Sequence, residues 1–157
     1  WLWDESRGIF ANRMISGEFV STLAPTSFFP MAAGIGFKDQ SQRMIQGYLN
    51  HPSKFGGEFG LPSVTRDDPT YTDNVYWRGR IWSPLNFWVW QGLKRQGFIK
   101  ESEQLAEQSW ELFKKNWKQR LCGENFNAET GEVLDQPDTD GFYSWGALLA
   151  AMKALEN

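Results

Sequence analysis

The chain has 157 residues, 41% hydrophobic and 16% aromatic, with nine tryptophans and a net charge of −3. That length suits one domain with a real core, and the mixed charge leaves no basic footprint for nucleic acid or an anionic membrane. One cysteine excludes an internal disulfide framework, one histidine speaks against a histidine-rich metal site, and no apolar run reaches the roughly 20 residues of a membrane helix.

The opening "WLWDESRGIF" has neither an initiator methionine nor a signal peptide's apolar stretch. It reads as the start of a piece of a longer protein, which leaves localisation nearly open. "GIFANRMISGEFV" predicts two short strands turning at Ser16-Gly17. "TSFFPMAAGIG" predicts a short apolar helix with Pro30 near its first turn and Gly34 and Gly36 at its end. Over residues 38–50, Met44, Ile45, Tyr48 and Leu49 share one face of an amphipathic helix. A long irregular stretch follows from His51 to Trp82.

Ser83-Pro84 then reads as an N-cap with proline at the first helical position. The helix after it carries Leu85, Phe87, Trp88, Val89, Trp90 and Leu93 around most of its circumference, the pattern of a helix buried on several sides. Residues 101–121 form another amphipathic helix, with Ala106, Trp110, Phe113, Trp117 and Leu121 inward and Glu103, Glu107, Glu111, Lys114 and Lys118 outward. Its acids precede its bases, which complements the helix dipole. A second irregular stretch runs from Cys122 to Asp140, and "GFYSWGALLAAMKALEN" closes the chain as a largely apolar helix.

Buried and amphipathic helices therefore alternate, as inner and outer layers. Inner-to-outer connections are short and outer-to-inner ones long, so every long loop should emerge at the N-termini of the inner helices. Long loops in compact domains tend to be functional, and helix N-termini favour oxygen-rich ligands. A pocket is expected on that rim. Five helices are too few to close a ring.

The first long loop mixes aromatic platforms with hydrogen-bonding groups, as a sugar's apolar C–H face and its hydroxyls require. Trp77 and Trp82 with Arg78, Asp67, Asp68 and Asn86 supply that mixture. The same residues are open to a plainer reading, in which Tyr76, Trp77 and Trp82 pack the core and Arg78 pairs with a nearby aspartate. "DDPTYTDN" and "DQPDTDG" miss the spacing of an EF-hand calcium loop. The second loop carries Glu124, Glu129, Glu132, Asp135, Asp138 and Asp140; most of them read as solvated loop charges, and the loop alone could supply one of the two carboxylates of glycoside hydrolysis. No nucleophile-elbow serine, phosphate-binding glycine loop, CxxC or HExxH occurs.

"LPSVTRDDPTY", "YWRGRIWSPLNFWVWQGLKRQG", "ENFNAETGE" and "FYSWGALLAAM" resemble the C-terminal part of family 63 glycoside hydrolases. That family includes processing α-glucosidases and mannosylglycerate hydrolases and is related to trehalases. The resemblance covers nearly the whole chain. It implies an all-α fold that is part of an (α/α)6 toroid, here with a short β-hairpin near the N-terminus. It also implies an inverting mechanism, with two carboxyls roughly 6.5–9.5 Å apart around the attacking water.

By position in the motifs, the resemblance makes Glu124 the general base, Trp77, Arg78 and Gly79 the loop lining the sugar subsite, and Phe142 and Trp145 the pocket-side aromatics; Trp82 and Asp68 join the expected sugar-binding residues from the loop's composition. Arg80 replaces a more usual proline and is expected to alter the pocket rim. The family's general acid has no counterpart in residues 1–157, so residues 1–157 are expected to be the C-terminal portion of the catalytic domain and inactive alone. The expected partners are a carbohydrate substrate and either the remainder of the domain or a second chain covering the inner helices, with no metal, cofactor, nucleic acid or membrane. Two other readings stand beside this one: a non-catalytic carbohydrate-binding module, and a structural array of helical hairpins.

Overall fold

Helix α3 (Ser83–Arg95) is the centre of the structure, a computed structural model that describes residues 1–156. Before it come the strands β1 (Trp3–Asp4) and β2 (Ile9–Phe10), then the helices α1 (Phe29–Ala33) and α2 (Lys38–Met44); α4 (Ile99–Trp117) and α5 (Leu148–Ala154) follow. Inner helix α3 packs between inner helices α1 and α5, while the outer α4 lies against both α3 and α5. The alternation of layers predicted from the order of apolar patterns is therefore present. Among the described residues no helix is long and apolar enough to cross a membrane.

Asn86, Val89, Trp90 and Leu93 recur at helical spacing along α3 and are all buried. The three apolar ones join Phe28, Met31, Phe55, Leu112, Phe126 and Leu149 in a single core. Each such large apolar side chain contributes about 1.5–3 kcal/mol by leaving water. Trp88, on the remaining face of α3, is 51% exposed, so this inner helix keeps an open apolar side.

The chain enters through two successive turns rather than one. Trp3 pairs with Phe10 and Asp4 with Ile9; the intervening turn is held by Asp4, whose carboxylate accepts from the backbone N–H groups of Ser6 and Arg7. The predicted turn at Ser16-Gly17 follows, closed by the Arg13–Phe19 bridge. After α2 the helix widens into a π-helical turn at Ile45–Leu49, which buries Ile45, Tyr48 and Leu49.

Two local expectations are corrected. Ser83 is already helical, and its hydroxyl is buried without a hydrogen-bond partner; the Trp82 carbonyl accepts the first helical N–H groups, from Leu85 and Asn86. In α4 the core face is Ser102, Leu105, Ala106, Ser109, Leu112 and Asn116, not the aromatic row. Two leucines are interleaved there with the small Ser102, Ala106 and Ser109. Trp110, Phe113 and Trp117 stack on one another along the flank, with centroids 5.9 and 5.6 Å apart, and Trp117 is 40% exposed.

The long loops, residues 51–82 and 118–143, meet each other. Ile81 and Phe126 exchange backbone hydrogen bonds of 2.8 and 3.0 Å. Each loop is also tied to α4, through Gln108 Nε2 to the Gly57 carbonyl and Asn116 Nδ2 to the Gly131 carbonyl. Buried Asn86 clamps the first loop to α3, accepting from Leu61 N–H and donating to the Leu61 carbonyl. That employment removes Asn86 from the sugar-binding groups suggested by composition.

Candidate active site

The site begins with a hairpin of four residues. Val75 and Arg78 exchange backbone hydrogen bonds of 3.1 and 2.9 Å, placing Tyr76 and Trp77 at the tip. Asn74 and Tyr76 both have φ of +48°. For an aromatic residue that conformation is strained, and it persists only where the surroundings over-determine it. Here they do. The Tyr76 carbonyl accepts the Trp82 indole N–H at 2.9 Å. Its ring stands edge-on to Trp77 and Trp82.

Trp77 lies flat on Trp82, with centroids 3.7 Å apart and planes 11° from parallel. Trp82 is 1% exposed, whereas Trp77 is 46% exposed and keeps its other side towards solvent. Gly79 turns the chain back beneath them with φ of +95°, and a Cβ there would stand 2.1 Å from the Tyr71 carbonyl oxygen. Arg78 points outward and pairs with Asp73 at 3.2 Å, both side chains being about half exposed.

Arg80 does not stand on the rim. It is fully buried, and its guanidinium meets Asp135 at 2.9 Å and the carbonyls of Glu132 and Val133. It also donates to Asn74 Oδ1 and, through Nε, to Asn125 Oδ1. A buried guanidinium needs all of its donors satisfied, and the acceptors come from both long loops. Burial pushes the Asp135 carboxyl up, yet hydrogen bonds from Arg80, Asn127 and Asn74 outweigh it and hold the group below the usual carboxylate range.

Glu124 follows in the second loop. Its N–H donates to the Asp140 carbonyl at 2.9 Å, and its own carbonyl accepts the Trp145 indole N–H at 2.8 Å. Its carboxylate Oε2 takes a 3.3 Å contact from the Asn125 side-chain amide. Trp145 tilts against Trp82, with centroids 6.0 Å apart, and against Tyr143 at 4.1 Å. Phe142 pairs with Cys122 in a short parallel bridge and is 67% exposed.

An unbroken line of contacts thus runs Glu124, Trp145, Trp82, Trp77. Phe142, Arg78 and Gly79 are on the same two strips of chain. Trp82 and Gly79 are buried, Trp82 behind the stacked Trp77 ring, which corrects the expectation that these two meet a sugar directly. Asp68 stands apart. It accepts from Thr70 N–H and Oγ and lines a cleft of about 500 Å³ with Arg7, Thr22, Tyr48, Lys54 and Asp67, away from Glu124 and the tryptophans.

Sequence reasoning does not single out Tyr143, Asn125 or the buried role of Arg80 at this site, and names Tyr76 only as a packing residue. Only Asn125 carries a signal, as the residue after Glu124 in the E-N-F-N motif. Among the described residues no three His, Cys, Asp or Glu side chains gather so as to hold a metal ion.

Residues 1–146 match the family model of the mannosylglycerate hydrolase MGH1-like glycoside hydrolase domain. Mannosylglycerate hydrolase MGH1 of Selaginella moellendorffii is 27% identical over 117 residues, covering 72% of this chain and 23% of that protein. The cytosolic neutral trehalase of Kluyveromyces lactis is 31% identical over 112 residues, 68% of this chain and 14% of that one. The crystal structure of a GH63 mannosylglycerate hydrolase from Thermus thermophilus, in complex with glucose, superposes with a TM-score of 0.78 at 25% identity. That superposition covers 98% of this chain and 36% of the solved one, so the alternating helices are part of a GH63 (α/α)6 toroid. The chain spans between 14% and 36% of the length of these relatives. A match that takes in both long loops and the helices carrying them leaves one conclusion: the chain belongs to the MGH1-like family of glycoside hydrolase domains.

Proposed function

We propose that this chain is the C-terminal portion of the catalytic domain of an inverting, exo-acting glycoside hydrolase. Its substrates are α-linked glucosides or mannosylglycerate, the latter being what the names of its relatives state. Glu124 is the general base. Its carboxylate takes a proton from water as that water attacks the anomeric carbon opposite the departing oxygen. Trp77 offers its free face to the sugar ring, and Phe142 and Trp145 stand beside it. The single observation that carries this reading is the contact line from Glu124 through Trp145 and Trp82 to Trp77.

The general acid would come from a segment outside residues 1–157, since a second carboxylate roughly 6.5–9.5 Å away is required. The exposed aromatic rings of Trp88 and Phe37, at 51 and 75%, fit surfaces completed by further polypeptide, whether the same chain or a second one. Residues 1–157 alone would then be inactive, because the missing acid is worth roughly 10²–10⁴-fold.

Proton NMR of the first product tests the reading. With the complete domain and an α-linked substrate, the β-anomer should appear first. An initial α-anomer would mean retention and would remove the general-base role.

A further inference from the structure

We propose that Arg80 is a positioning residue for the reaction, acting through Asn125 to set the carboxylate of Glu124; this rests on Glu124 being the general base. An asparagine amide has an accepting oxygen and a donating NH₂, and a half-turn exchanges them. Next to a general base only one orientation is useful, since an oxygen aimed at a carboxylate repels it. Asn125 is completely buried, so water cannot correct a wrong choice.

Arg80 makes the choice. A guanidinium is donor only, so its Nε–H must face the Asn125 oxygen. The Thr139 hydroxyl reaches the same oxygen at 3.3 Å. With the oxygen engaged twice, the NH₂ is left for Glu124 Oε2 at 3.3 Å. Arg80 itself cannot turn. Asp135 takes both of its terminal nitrogens, at 2.9 and 3.2 Å, and the Val133 carbonyl accepts at 3.1 Å. One carboxylate oxygen of Glu124 is thereby braced, and the other has no hydrogen-bond partner among the described residues. A planar fork that serves Asp135 and Asn125 together is beyond lysine, whose ammonium is a single point of charge.

The test is kinetics of the complete catalytic domain with Arg80→Lys, Asn125→Asp and both together, beside Glu124→Gln. In Arg80→Lys, kcat should fall about tenfold, within the range that small misplacements cost, while KM stays within about twofold. Asn125→Asp keeps the oxygen that Arg80 needs but turns the NH₂ into a second acceptor, so kcat should fall with the melting temperature retained. The double variant should be no slower than Asn125→Asp, because both changes break one relay. Should Arg80→Lys fail to fold, Arg80→Met with Asp135→Asn removes both buried charges together and must show the same kcat loss. Unchanged kcat in the Arg80 variants, a change in KM alone, or losses that multiply in the double variant would overturn the proposal. Glu124→Gln separates the two claims: if it remains active, the general-base reading fails; if it is inactive while Arg80 variants turn over normally, only the positioning role fails.

Discussion

Replacing Gly79 by alanine should be among the most damaging small changes this chain can suffer. Its φ of +95° is costly for any residue with a Cβ, by about 1–2 kcal/mol. The new methyl would also sit 2.1 Å from the Tyr71 carbonyl oxygen, which is backbone and cannot swing aside like a side-chain tip. Forcing such a shift adds about 1–3 kcal/mol. Gly97 is the built-in control: its φ is +79°, and a Cβ there would meet nothing within 4 Å. Gly97→Ala therefore carries the backbone term alone. Thermal unfolding of the two variants should differ by about 2 kcal/mol, or about 4–8 °C at this chain length. Gly79→Ala should also weaken the near-ultraviolet circular dichroism of the Trp77–Trp82 stack. Equal melting temperatures for the two variants would refute the close approach of the turn to Tyr71.

Asn86→Ala strands a buried N–H and a buried carbonyl of Leu61, and should lower stability by about 2–4 kcal/mol in urea unfolding; a loss under about 0.5 kcal/mol would contradict the clamp. Trp77→Ala removes the exposed platform but leaves Trp82 in place, so sugar affinity read by titration should drop about tenfold, and unchanged affinity would exclude that ring from the subsite. The Asp4 carboxyl is pulled to about 2, first by the Ser6 hydroxyl and then by Arg7. A folded value below the unfolded one gives stability that is present above about pH 4 and lost as pH falls through about 2. Between those limits the melting temperature of Asp4→Asn should fall less steeply than that of the wild type; identical slopes would dismiss the effect.

The alternation of helices is legible because it depends on a coarse signal, apolar all round against apolar on one side. That the long loops share one rim follows from that alternation together with the short inner-to-outer and long outer-to-inner connections. What periodicity does not supply is the direction of each contact. In α4, Trp110, Phe113 and Trp117 satisfy helical spacing as well as Leu105, Ser109 and Leu112 do, and only the closeness of the neighbouring helices decides between them. Leu105 and Leu112, interleaved with Ser102, Ala106 and Ser109, take the core face and leave the aromatic row on the flank.

Arg80 shows the same limit in electrostatics. A lone arginine in a loop reads as surface, yet acceptors as distant in sequence as Asn125, Val133 and Asp135 converge on it. Asp68 and Trp77 look equally suited to a sugar because a site's composition names its residue types. Composition does not say on which side of a fold each residue emerges. The strained turn at Tyr76 is invisible in the sequence for a related reason: no local preference favours tyrosine at positive φ, and only the Trp82 indole and the neighbouring rings hold it there.

The most direct test of the central claim is Glu124→Gln in the complete catalytic domain, with turnover and sugar affinity measured on the same preparation. The amide keeps the size of the side chain but cannot accept a proton from water. Turnover should fall by roughly 10²–10⁴-fold or more, with the dissociation constant for the sugar within a few-fold of wild type. Turnover at the wild-type rate would contradict the account at its root.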